Sequence, residues 1–173
     1  AFYAQIKQHA AALVAREMQP MQELIFRCAQ MHVEHIGSGD PFEFGSSRPL
    51  DFGHWAAHKL EQVTNYTLRH GEAVAIGIAL DVTYSKLAGM LSEEEWEDIL
   101  SLLYELGFAL YLPELSQGLE TPAKELLILQ GLQEFREHLG GQLTIMLLEK
   151  IGHGVEVHHL DAALVSEAVR QLQ

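Results

Sequence analysis

Apolar residues recur at helical spacing along most of this chain, and short glycine- and proline-rich breaks divide it into segments. Residues 2–16 are alanine-rich with few breakers, which predicts a first helix. Pro20 suits the first turn of a second helix over residues 21–36, because the amide that proline lacks has no helical partner there. Gly37, Gly39, Pro41, Gly45 and Pro49 make residues 37–50 the one long irregular stretch before the first histidine cluster, and long loops are disproportionately functional. A helix over 52–64 and a turn over 65–69 follow. Residues 71–90 are apolar on every side, with small residues at Ala73, Ala75, Gly77 and Ala79. A helix of that kind is buried among close neighbours.

Ser92 followed by Glu93, Glu94 and Glu95 is an N-cap with acidic residues in the first turn, where the helix dipole favours them. The amphipathic helix it opens runs to Leu106 and stops at Gly107. Thr121 and Pro122 predict a further helix through Glu137, ended by Gly140 and Gly141. Residues 143–148 are β-compatible and 155–158 alternate, with Gly152 and Gly154 between them, so a small hairpin is expected. A last helix spans 161–172. The fold class is therefore mainly α: one multi-helix unit over residues 1–173, with a small β-hairpin near the C-terminus.

Composition narrows the partners. The chain has 173 residues, 48% of them apolar, enough for one ordinary core. Eleven basic against 24 acidic residues give a net charge of −13, which repels phosphate backbones and anionic lipid. Nucleic acid and bare membrane are excluded on that ground, and a phosphorylated ligand would need a local basic patch. No apolar run approaches the roughly 20 residues that span a bilayer. Cys28 is the single cysteine, so no intrachain disulfide and no cysteine-based zinc cage can form. Its setting reads as helix interior, and Cys28 and Met31 are expected to pack in the core. A cytoplasmic, reducing location is the matching expectation. Ala1 is not Met, and the first residues open inside a predicted helix, which suggests a piece of a longer chain.

Ten histidines are many for this length. His54 and His58 stand four apart on a predicted helix, one above the other, with Glu61 on roughly the same face. His70 opens the next helix. Neutral imidazole is the commonest metal ligand, and a catalytic zinc takes three protein ligands and keeps one position open. There is no His-Glu-x-x-His. By spacing alone, such a pair is more often surface or core histidine than ligand. His9, His35 and His138 have no partner at ligand spacing, and His153, His158 and His159 flank the hairpin as surface residues. Trp55 is expected to pack against a neighbouring helix.

The run Gly53-His54-Trp55-Ala56-Ala57-His58-Lys59-Leu60-Glu61 resembles the Gly-His-x-x-x-His-x-x-Glu helix of 3-dehydroquinate synthase. His70-Gly71-Glu72-Ala73-Val74-Ala75-Ile76-Gly77 is similar to that family's second signature, His-Gly-Glu-Ala-Val-Ala-x-Gly. The stretch from Phe135 to Ile145 and Ile151-Gly152 look like the tail of the related sugar phosphate cyclases. The resemblance covers essentially the whole chain, as the helical C-terminal half of a two-domain enzyme.

That resemblance implies a set of roles. His54 and His70 match the two histidine ligands of a catalytic zinc, whose third ligand, a glutamate, lies on a helix preceding this chain. His58 matches a residue near the substrate phosphate and the proton-transfer steps. Arg48, one position off in register, His32, where the family carries Lys, and Arg136 match substrate contacts. Asp51 stands in the catalytic region where dehydroquinate synthases carry Asn, and a charge there suits a neutral polyol better than a carboxylated substrate. The implied cofactors are zinc and NAD, the latter held mainly by a Rossmann-like N-terminal domain. No Gly-x-Gly-x-x-Gly after a strand occurs here. The implied partners are a phosphorylated sugar-derived substrate, the missing N-terminal domain and a second copy in a homodimer. The implied function is cyclisation with phosphate elimination, carbon–oxygen lyase chemistry absent from this half alone. Two other readings stay open: a non-catalytic helical binding or assembly module, and the helical half of an iron-dependent alcohol dehydrogenase-like enzyme.

Overall fold

The computed structural model describes residues 1–37, 49–120, 126–138 and 142–173. Eight α-helices and one antiparallel hairpin are seen among them. The hub is α5 (His70–Leu87), buried from Ala73 through Ser85 except at Val74 and Ile78. Around it stand α4 (His54–Val63), α6 (Glu93–Glu105), α8 (Ala162–Leu172) and strand β1 (Ile145–Lys150). The small residues anticipated in this segment allow that crowding. Trp55, Leu60, Ile76, Leu80, Leu147 and Val169 fill the space, each at most 2% exposed. No helix of the described residues is long and apolar enough to cross a membrane.

The hairpin pairs β1 with β2 (His153–Val157), in the register Ile145 with Val157 and Leu147 with Val155. It is fastened to the bundle through Glu95, whose carboxylate accepts the Ile151 amide at 2.9 Å. Tyr84 similarly accepts the Asp161 amide at 3.0 Å, seating the start of α8. The Ser92 hydroxyl caps α6 by accepting the Glu95 amide at 3.2 Å. Ser92→Ala is expected to cost about 1 kcal/mol in urea-melt stability, with Ser92→Gly losing only a few tenths.

Several expectations need correction. The first helix is broken at His9 (φ −105°, ψ 11°) into α1 (Phe2–Gln8) and α2 (Ala10–Val14). The break lets Tyr3 and Lys7 reach Asp98 while Ala10 and Leu13 turn into the core. The second helix, α3 (Met18–Gly37), starts three residues early, before Pro20, and buries nothing. Cys28 and Met31 are therefore on the surface, not in the core. Helix α7 (Gln130–His138) starts well after Thr121 and Pro122; residues 121–125 and the glycine stop at 140–141 lie outside the described residues. A short 3-10 turn, Leu127–Leu129, leads into it.

Candidate metal and substrate site

Two helix starts face each other at the site. His54 is the first residue of α4 and His70 the first of α5, and these two helices make the most extensive pairing in the bundle. The start of α4 is set by Gly53, held in the left-handed region at φ +78°, where a side chain would meet Ile78 at 2.8 Å. The start of α5 is set by Glu72, which accepts the Arg69 amide at 3.1 Å and pairs with the Arg69 guanidinium. That guanidinium holds the Glu72 carboxyl below its ordinary value.

Three imidazoles gather there. The ring centroids of His54 and His70 are 5.3 Å apart, those of His54 and His58 5.7 Å, and those of His58 and His70 6.2 Å. Two imidazoles on one tetrahedral ion, at N–Zn distances of about 2.0–2.1 Å, have centroids about 5 Å apart. His54 and His70 have that spacing. The same surroundings select a tautomer of the neutral rings. The Nδ1 of His54 lies 3.1 Å from the Phe52 carbonyl oxygen, which can only accept, so Nδ1 donates and, in the neutral ring, Nε2 carries the lone pair. The Nδ1 of His70 lies 3.2 Å from Glu61 Oε1 and donates likewise. Both histidines thus offer Nε2, in the carboxylate- or carbonyl-oriented form typical of metal-bound imidazole. Among the described residues no group of three or more His, Cys, Asp or Glu side chains is placed to hold an ion.

The surroundings come from α4 and α7. His58 is exposed, with its ring 6.4 Å from Phe135. Beneath it Lys59 is buried and bonded to Glu134 at 2.7 Å and Gln62 at 2.8 Å, tying the two helices together. A cavity of about 190 Å³ between them is lined by Trp55, His58, Lys59, Gly131, Glu134 and Phe135. Asp51 is half-buried in the short turn Pro49–Asp51, three residues before His54.

Residues 1–126 match the family described as 3-dehydroquinate synthase C-terminal. The chain belongs to this family. It is 36% identical over 150 residues to the 3-dehydroquinate synthase of Aeropyrum pernix, covering 84% of this chain and 39% of that protein. It is 30% identical over 177 residues to the enzyme of Xylella fastidiosa, covering 99% of this chain and 45% of the other. In structure it is similar to 2-epi-5-epi-valiolone synthase from Streptomyces hygroscopicus subsp. jinggangensis, solved with NAD+ and Zn2+ bound. The TM-score is 0.85 at 25% identity, over 98% of this chain and 45% of that one. The chain therefore spans less than half the length of the 3-dehydroquinate synthases it matches.

The residues singled out in this dehydroquinate synthase-type domain are unequally placed. His54, His58, His70 and Glu61 are brought together, and Asp51 is adjacent in the chain. His32 is exposed on α3, and no ring contact or hydrogen bond among the described residues joins it to the three histidines. Arg136 is exposed on α7, one residue beyond Phe135. Arg48 lies outside the described residues. One residue was missed altogether. Asp81, inside α5 and 1% exposed, accepts the Gly53 amide at 3.0 Å and the Trp55 indole N–H at 2.8 Å. Its signal was a lone carboxylate in the uncharged run 73–85.

Proposed function

We propose that this chain is the metal- and substrate-binding half of a sugar phosphate cyclase, with His54 and His70 as two of the ligands of a catalytic zinc. The observation carrying this reading is the 5.3 Å spacing of two imidazoles that both present Nε2. The third ligand and the dinucleotide site belong to a preceding nucleotide-binding domain, and the chain alone does not close a ring. When bound, zinc supplies a Lewis acid and NAD+ a hydride acceptor for a secondary alcohol of the substrate.

The chain's own residues bind, orient and move protons. His58, exposed one turn from His54, can take or return a proton at the edge of the site. Arg48 and Arg136 supply the local positive charge that a phosphorylated substrate needs against a net charge of −13, and His32 a hydrogen-bonding imidazole. Asp51 places an anion where a substrate carboxylate would be repelled, so the preferred substrate is a phosphorylated sugar with a neutral polyol head.

Calorimetric titration of Zn2+ into the chain and its His54→Ala variant tests the metal assignment. Stoichiometric binding by the wild type, weakened at least tenfold in the variant, is expected. Equal binding by both proteins removes the assignment and leaves a helical scaffold. Joined to a nucleotide-binding domain, the enzyme is expected to release phosphate faster from a neutral than from a carboxylated seven-carbon sugar phosphate. The opposite preference refutes the role given to Asp51.

A further inference from the structure

We propose that Asp81 is the positioning residue for His54, anchoring the turn on both sides of that histidine. The inference rests on the reading of His54 as a ligand. One carboxylate oxygen of Asp81 takes the backbone N–H of Gly53, the residue before His54. The other takes the indole N–H of Trp55, the residue after it. Both donors are neutral, and no cation pairs with Asp81 among the described residues. A core that needed only packing would carry an apolar side chain here, because burying a carboxyl group, protonated or not, is costly. The cost is offset by fixing two specific N–H groups, and those two groups bracket one imidazole.

Asp81 also ties the two histidines to one body. It stands on α5, whose first residue is His70, so the Gly53 and Trp55 bonds fasten the His54 turn to the helix that carries its partner. Gly77, one turn before Asp81, lets that turn lie against α5. A Cβ at Gly77 would come within 1.9 Å of the Gly53 carbonyl oxygen. The Phe52 carbonyl then fixes the His54 ring within the anchored turn. The His54–His70 separation is in this way set along a single helix rather than across a loop.

Imidazole proton–nitrogen NMR of the metal-free chain at fixed pH reads the effect without catalysis. The wild type is expected to show a protected His54 Nδ1–H, assigned with His54→Ala. Asp81→Leu removes both anchors and should abolish that protection; Trp55→Phe removes one and should weaken it. Leu102→Ala, a change at another buried position, in α6, serves as the stability control and should leave the signal in place. If Asp81→Leu does not fold, Asp81→Asn and Trp55→Phe carry the comparison. A His54 signal in these variants that matches the control overturns the proposal. Zinc affinity falling about tenfold in the Asp81 variant, the scale of outer-sphere substitutions, is the expected consequence. Zinc binding that is indifferent to His54→Ala would defeat the ligand reading instead, leaving the NMR result to stand on its own.

Discussion

Gly77→Ala is expected to destabilise the chain by roughly 3 kcal/mol or more, the upper range of overpacking penalties. The added methyl group would sit 1.9 Å from the Gly53 carbonyl oxygen and 2.8 Å from its carbon. Neither is the end of a flexible side chain. The only relief is to push the start of α4 off α5, which breaks the Asp81 bonds and moves His54 from His70. A midpoint about 10 °C lower follows for a domain of this size. Gly71→Ala is the companion measurement. A Cβ there meets nothing within 4 Å, and in a helical first turn alanine should be neutral or slightly stabilising. Equal melting of Gly77→Ala and wild type would show that the two helices do not approach as closely as described.

The stability of the wild type, measured against Asp81→Asn, is expected to fall as pH rises from about 4 to about 8. Burial pushes the Asp81 carboxyl up from its ordinary 3.8 to about 7, against the opposing pull of the Trp55 and Gly53 hydrogen bonds. Between those values the folded chain holds a proton that the unfolded chain has released. Stability therefore decreases with pH across this window. The full effect is present below 3.8 and lost by the time pH has passed 7. Its size is on the order of 4 kcal/mol. Asp98 and Glu72, both held below their ordinary values by basic neighbours, give slopes of opposite sign, but they are common to both proteins and cancel in the difference. Urea melts at a series of pH values check it. A difference that does not change with pH would mean that Asp81 stays ionised in the fold.

The buried hub was the easiest element to read, because residues 71–90 combine an apolar surface all round with small residues, and only a central position satisfies both. The Ser92 cap was legible for a local reason, because its hydroxyl satisfies an amide three residues away; the Asp161 cap of α8 was not read from the sequence. The break at His9 was not legible. An alanine-rich run favours continuing, and the break goes with contacts to Asp98, some ninety residues distant, that no local pattern announces. Period also misled at α3. Its spacing is helical, but period says nothing of what lies opposite, so Cys28 and Met31 were assigned to a core that does not reach them.

At the site, the two histidine signatures stood in the sequence, whereas their orientation did not. The Phe52 carbonyl and Glu61 decide which ring nitrogen is offered, and both contacts depend on how α4 meets α5. Asp81 is farther still from local legibility. It is 28 residues from Gly53 in sequence, and only the fold closes that distance.

Helix α3 buries none of its twenty residues, although Met18, Ile25, Phe26 and Val33 are each at least 60% exposed on it. Within the described residues its cohesion is local: glutamine–glutamate bonds one turn apart, with few ties to the core. Such an element is expected to exchange its amide hydrogens sooner than α5 does. His32 rides on it. If His32 contacts the substrate, as proposed, binding would favour the closed form of α3, and amide exchange along this helix would slow on adding substrate.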